Sequence, residues 1–485
     1  MYVVNRSFLF RREISGEMGA KPDREIKQMV PAKRRLRFAA VCFALFSPAL
    51  VSGQTLKSTY PRIGAYEIGG THETVKPLYR QALAKHDIVI LGMWRDWSGR
   101  DAETNEEMNM RDVVVDIKRR AAQMGNDAIL VGKYTIFMES RPFTGNGDSP
   151  TERWYKLSSE VGPGYRTNND WWARNSSGEN TSSYPGNWNT NITEFVKRDS
   201  NGDTYPEWSV THDYKVFFRD VPELDIWYID NWFYRPRVKA DWDGDGINDD
   251  RNSNTVKQYY RKGFLNGLRR ARQLAPNRIF IGNVDGEPQI GQGMLGEPEY
   301  KSQISALYEG AIGKSYSQES WGSWETMMEQ YQTTLQNARN RLLIMTVHGD
   351  ATDYKLMRYG LASCLMDDGY YYYTTYETEY RSALWFDEFD VSLGRAIDPP
   401  QFKAWQKGIY RRRFENGVVL VNPKGNGSQT VDLEPGYRRI SGKQDVAINN
   451  GRPVDSLFLE ERDGIILLRS DAGQVPRPKP PVLSL

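Results

Sequence analysis

Two carboxylates stand where chemistry is expected. Asp230 ends the apolar run of I-W-Y-I-D-N-W, and Glu309 ends I-S-A-L-Y-E-G. A charge at the end of an apolar run is costly unless it is solvated, paired or used. Two such groups facing one cleft can hydrolyse a glycosidic bond. One protonates the departing oxygen, and the other attacks the anomeric carbon or activates water. A separation of about 5–5.5 Å suits retention of configuration and about 6.5–9.5 Å suits inversion. The neighbours Tyr308 and Trp232 would favour a protonated carboxyl near neutral pH. Asp285, followed by Glu287 in G-N-V-D-G-E, competes with Glu309 for the acid role. The plainer alternative for each carboxylate is an ion-pair partner without chemistry.

Other groups fall at the ends of apolar runs too. Glu67, Asp96 in W-R-D-W, and His348 with Asp350 in V-H-G-D read as substrate-positioning groups. Trp94, Trp97, Trp232, Tyr308 and Tyr376 read as stacking platforms or as packing. The chain has 14 Trp and 28 Tyr among 485 residues. A flat ring matches the apolar C–H face of a pyranose, so this surplus favours a carbohydrate substrate. The net charge of +2 is spread along the chain and gives no footprint for nucleic acid. There is no G-x-S-x-G, no H-E-x-x-H and no Walker A run, and the four His are not in ligand spacing. No organic cofactor is implied.

The run D-W-D-G-D-G-I-N-D-D carries a second chemistry. Asp241, Asp243, Asp245 and Asp249 occupy positions 1, 3, 5 and 9 of a calcium loop, with the Ile247 carbonyl at position 7 and Gly246 at the sharp turn. Alternate side chains there can converge on one hard cation. Position 12 is Asn252, so the spacing predicts a structural Ca²⁺ loop without an EF-hand. Asp199, Asn201, Asp203 and Glu207 form a weaker echo.

Positioning these groups requires a scaffold. Eight short apolar runs alternate with helical patterns: 62–66, 87–93, 128–134, 226–230, 278–283, 304–309, 342–347 and 370–374. Helices are expected over 112–124, 255–274, 324–339 and 354–365. The alternation predicts an α/β fold, a (β/α)8 TIM barrel over 54–405, with a long insertion after strand three at 136–223. A doubly wound sheet is the alternative, but no G-x-G-x-x-G turn follows the first strand. Barrel strands would end at the C-terminal face, where Asp230 and Glu309 would meet. From about Gly417 the period changes to two, which predicts a small antiparallel β-domain over 406–470 and a Pro-rich tail over 471–485.

The first 53 residues read as an extension and signal peptide. Lys33, Arg34, Arg35 and Arg37 precede an apolar run, Phe38–Val51, with small residues at Ser52 and Gly53. Export is expected, with a mature protein from about Gln54 in the periplasm or outside the cell, and Met29 fits a start better than Met1. Cys364 is then the lone mature cysteine and no internal disulfide is expected.

On G-A-Y-E, W-Y-I-D-N-W, G-N-V-D-G, A-L-Y-E-G, L-V-N-P and D-G-I-I-L-L, the chain resembles the bacterial glycoside hydrolases described as hypothetical glycosyl hydrolase family 15-like TIM barrels. The resemblance covers most of 60–470. It implies glycoside hydrolysis as the reaction class, with Asp230 as nucleophile and retention of configuration; together with the aromatic surplus, the reading is an exported enzyme acting on a polysaccharide or oligosaccharide. It leaves the acid after strand six, at Glu309, or after strand five, nearer Asp285. Two rivals come from other classes. A non-catalytic glycan-binding protein on the same barrel could lose a carboxylate that is present here. A deacetylase would need a His/Asp metal set that is absent from the sequence.

Overall fold

The computed structural model describes residues 57–92, 97–136, 138–140, 171–233, 235–284, 303–314, 317–375 and 380–471. All lie in one compact unit, Val51–Leu485. The signal region, Trp94, Asp96, Asp285, Glu287, Tyr376 and the Pro-rich tail fall outside the described residues.

Eight strands form one parallel sheet in chain order: β1 (Gly64–Glu67), β2 (Ile88–Leu91), β3 (Leu130–Thr135), β4 (Ile226–Trp232), β5 (Ile279–Val284), β6 (Ser305–Gly313), β7 (Leu343–Gly349) and β8 (Tyr370–Thr375). A parallel bridge between Ile63 and Tyr371, with the Tyr371 N–H donating to the Arg62 carbonyl, joins last strand to first and closes the barrel. Each expected run lies on its strand. Their continuous apolar character follows from burial on both faces, inward on the barrel core and outward on helices.

The helices begin where side chains satisfy their first N–H groups. Asn109 and Asp112 form a capping box at α1 (Met110–Gln123). Ser253 caps α3 (Asn254–Leu274), Ser323 caps α4 (Trp324–Asn337) and Asp353 caps α5 (Tyr354–Cys364). Met110, Val113, Val114, Ile117 and Ala121 make the buried stripe of α1.

The segment between β3 and β4 corrects one expectation. It is not loop throughout: α2 (Tyr205–Asp213) runs into one turn of π-helix, Tyr214–Phe218. Tyr205, Pro206, Trp208, Ser209, Val210, His212 and Asp213 are all buried and only Glu207 and Thr211 are partly exposed, so the polar strip is too narrow for a 3.6-residue period to stand out.

A five-stranded antiparallel sheet follows, in the order β9 (Tyr410–Phe414), β10 (Gly417–Asn422), β13 (Asp463–Arg469), β11 (Gln429–Arg439) and β12 (Pro453–Leu459). Its strands alternate. Val418, Leu420, Ile465 and Leu467 face the sheet's own core, and Val419, Val421 and Ile466 join the barrel core. At Gly464 a Cβ would lie 2.4 Å from the Ala362 Cβ and 2.7 Å from the Arg358 carbonyl, so glycine lets β13 lie directly on α5. Arg412, buried, donates to the Leu365 carbonyl and to Asp368 and ties the sheet to the end of that helix.

Candidate active site

β4 and β6 are buried along their length except at one residue each, Asp230 and Glu309, which are half-buried. Both sit at irregularities. The β4–β5 register shifts between Ile229 and Trp232, and the β6–β7 register shifts between Tyr308 and Ile312. In each case the residue after the carboxylate is left-handed, Asn231 at φ 56° and Gly310 at φ 64°. Bulges re-aim side chains at strand ends. Asn and Gly are the residues that adopt this conformation at least cost.

The two carboxylates meet. Asp230 Oδ2 accepts a bond from the Tyr134 hydroxyl at 2.7 Å, and Oδ1 accepts from Tyr228 at 3.2 Å and from Asn283 Nδ2 at 3.0 Å. The same Asn283 nitrogen donates to Glu309 Oε2 at 2.8 Å. Two bonds of that length to one atom hold the bridged oxygens within roughly 6 Å, which admits the separation of a retaining pair. Glu309 Oε1 accepts from the Tyr380 hydroxyl at 2.5 Å, and His348 Nε2 lies 3.0 Å from that hydroxyl.

Burial, then the charge of Glu309, hold the Asp230 carboxyl above the usual carboxylate range, while the bonds from Tyr134 and Asn283 act the other way. A bond to a charged acceptor is worth about 1.5–3 kcal/mol, so these donors offset part of the desolvation without erasing it. A doubly ionised pair is therefore disfavoured, and one proton stays on the pair to a higher pH than on a lone carboxylate. Acid-plus-nucleophile chemistry needs one protonated and one ionised carboxyl, and a proton shared by a coupled pair belongs to the pair rather than to either member.

Four tyrosines were not singled out from the sequence. The Tyr66 ring lies 5.1 Å from Tyr228 and 5.2 Å from Tyr380, and Tyr134 stacks on Tyr228 at 5.6 Å. Burial first, and then the charge of Asp230, push Tyr66, Tyr134 and Tyr228 well above the ordinary phenol value, so they stay protonated as donors. A signal existed for one of them: Tyr228 is two residues before Asp230 and so shares its face.

The structure brings His348 to the site, behind Tyr380. It does not bring Tyr308 or Trp232 there. Tyr308 is 1% exposed and donates its hydroxyl to Gln330 of α4 at 2.6 Å. Neighbours on a strand point to opposite faces, so Tyr308 must face the helices if Glu309 faces the cleft. For Trp232, uninterrupted alternation would give it the face of Tyr228 and Asp230. The bulge turns it outward instead, where it is 0% exposed and stacks on Phe264 of α3 at 5.1 Å. Trp97 is buried as well. Glu67 is also closed off. Its carboxylate accepts from Tyr79, Tyr372 and the Ala383 N–H, and burial raises its pKa. It ties the segment after β8 to β1. Asp350 pairs with Lys314 at the surface.

One residue joins the candidates from structure alone. Glu139, in a two-strand ribbon with Trp188–Asn189, is buried and accepts from Ser183 at 3.3 Å and Asn187 at 3.2 Å. Burial raises its carboxyl, and the charge of Asp230 adds to the rise.

In the acidic loop, ligand oxygens of Asp241, Asp243 and Asp249 lie within 4.8 Å of one another. That spacing and an all-carboxylate donor set fit a hard cation. Asp245 is not in the cluster; its Oδ1 accepts the Ile247 N–H at 2.7 Å. The weaker echo is spoken for. Asp203 pairs with Arg270, Glu207 caps α2, and Asp199 accepts two N–H groups of its own turn.

Residues 93–418 match the family described as hypothetical glycosyl hydrolase family 15. No match was found among curated proteins. Among solved structures, the chain is similar to an alpha-amylase from Anoxybacillus at 11% identity and a TM-score of 0.44, over 87% of this chain and 100% of that one. It is similar to the GH36 alpha-galactosidase AgaA from Geobacillus stearothermophilus at 11% identity and a TM-score of 0.40, over 85% of this chain and 56% of that one. The glycoside hydrolase domain of PelA from Pseudomonas aeruginosa matches at 9% identity and a TM-score of 0.37, over 66% of this chain and 96% of that one.

Proposed function

This chain belongs to the hypothetical glycosyl hydrolase family 15 and is a glycoside hydrolase, and on that footing we propose that it is exported and cleaves a polysaccharide or oligosaccharide with retention, using Asp230 and Glu309. The observation that supports the reading is the shared Asn283 nitrogen, whose bonds of 3.0 and 2.8 Å keep the two bridged oxygens within roughly 6 Å of each other. Asp230 attacks the anomeric carbon, and the bond to the departing oxygen breaks. The freed electron pair takes the Glu309 proton. Glu309, now a carboxylate, takes a proton from water, whose oxygen attacks the same carbon and releases Asp230. Tyr134 and Tyr228 hold the attacking carboxylate by its two oxygens.

The test is reducing-end release from a broad glycan panel, with the anomer of the first product read by ¹H NMR. Asp230→Asn is expected to lower kcat by about 10⁴-fold. An inverted first product would remove retention, and undiminished release by the variant would remove Asp230 as nucleophile. Glycans bound equally by both proteins and never cut would favour a binding protein.

Export rests on the basic and apolar pattern of 33–53, and sequencing the N-terminus of the mature protein is expected to give Gln54. A structural Ca²⁺ on Asp241, Asp243 and Asp249 rests on their spacing in the fold. Such an ion would pin the segment that follows Asp230.

A further inference from the structure

β5 lies between the two strands that carry the carboxylates, and it is regular where they are not. Ile229 pairs with Gly282 and Trp232 with Val284, so Asn283 faces the bulge that holds Asp230 and Asn231. On its other side Asn283 pairs with Leu307, two residues before Glu309. Its side chain is buried, in a strand that otherwise reads I-F-I-G and V. An unpaired amide there would cost about 1–3 kcal/mol. Both amide hydrogens are used, one on each carboxylate.

We propose that Asn283 is a positioning residue, a clamp whose single nitrogen fixes the distance and orientation at which Asp230 and Glu309 work. This rests on the glycosidase reading of the pair. Tyr134 and Tyr228 bond to Asp230, and Tyr380 bonds to Glu309; among the described residues, Asn283 bonds to both. The two N–H bonds of an amide diverge by about 120°, so at ideal geometry acceptors at these lengths would stand about 5 Å apart, a spacing that suits a retaining pair. A neutral clamp also has a property that a lysine in its place would lack. An ammonium would favour ionisation of both carboxylates, whereas the amide steadies them and leaves one proton on the pair.

The test uses the full mature chain with Asn283→Ala and Asn283→Asp. Asn283→Ala is expected to lower kcat about 100-fold, with KM changed by less than about threefold, because the loss is of alignment. The acidic limb of kcat/KM should move up by about one pH unit, since a donor to the ionised Asp230 is gone. Asn283→Asp fills the same space but adds a third carboxyl, and should move the limb further. A space-filling role would leave that limb where it is in wild type. In the free protein, ¹³C-carboxyl titration of Asp230 reads the same shift without substrate. If Asp230 titrates unchanged in Asn283→Ala while circular dichroism shows the fold kept, the clamp is wrong. If wild type cuts no glycan yet the titration moves, the clamp stands and the hydrolytic reading of the pair falls.

Discussion

The mouth of the barrel and the 241–249 loop both gather carboxylates, and they hold them by opposite means. At the mouth, most donors to Asp230 and Glu309 are side chains from other parts of the chain: Tyr134 on β3, Asn283 on β5 and Tyr380 beyond β8, with Tyr228 joining from β4 itself. In the loop, the donors are backbone N–H groups of the loop itself. Gly244 and Gly246 donate to Asp241, Ile247 to Asp245, and Trp242 to Asp249. The first arrangement exists only when the barrel has closed. The second is local, and its acids are partly exposed. Acids fixed by distant rigid strands can be held in a strained protonation state, as catalysis needs. Acids fixed by their own turn can do little but gather a cation. The comparison predicts that changes at the mouth alter rate and pH dependence, and that changes in the loop alter stability.

After Asp230→Asn, the largest effect should come from Glu309→Gln. Loss of the general acid is expected to lower kcat about 10³-fold on substrates with poor leaving groups, and far less on an activated aryl glycoside. The pH profile carries the sharper prediction. Behind burial, the charge of Glu309 is the second cause that raises Asp230. Its removal lowers the pKa of Asp230, so the carboxylate forms at lower pH and the acidic limb should move down. An unmoved acidic limb would separate the two carboxylates and break the pair.

The same comparison explains what could be read before the fold was known. The calcium spacing is a local pattern, visible as alternate residues over 241–249; in the fold Asp241, Asp243 and Asp249 converge and Asp245 does not join them. The eight strands were visible because parallel strands are apolar along their length. Asp230 and Glu309 were visible as charges ending those runs. Tyr134, Tyr380 and Asn283 were not, because they come from distant parts of the chain that only the closed barrel brings to the pair. Of the two readings for Trp232 and Tyr308, platform or packing, the fold takes packing, for reasons the strand itself contains. Tyr308 adjoins Glu309 and must face away from it. Trp232 obeys a bulge that the D-N dipeptide only hints at.

A smaller effect is expected from Tyr134→Phe. It removes one of the donors to Asp230 and keeps the ring that stacks on Tyr228. That bond lowers the Asp230 pKa, so its loss should raise the acidic limb, opposite in sign to Glu309→Gln. The rate at the optimum should fall about tenfold. If both variants shift the limb the same way, the mouth does not tune Asp230 as its contacts imply.

The smallest effect should come from the loop. If Asp241, Asp243 and Asp249 hold Ca²⁺, an ion at 100 times its Kd stabilises the fold by about 2.7 kcal/mol. In a chain this long that is a rise in Tm of only about 3 °C, since the entropy of unfolding grows with size. Differential scanning fluorimetry with Ca²⁺ and with EDTA reads it directly. Asp249→Asn should abolish the response, because it removes one of three charges that converge within 4.8 Å. Mg²⁺ should replace Ca²⁺ poorly, since it dehydrates reluctantly and demands a tighter octahedron than a flexible acidic turn supplies. A wild-type Tm indifferent to Ca²⁺ would leave the loop as a turn closed by its own N–H groups, with Asp241 spending its oxygens on Gly244 and Gly246. The contrast with the mouth would then be between acids held for chemistry and acids that only shape a turn.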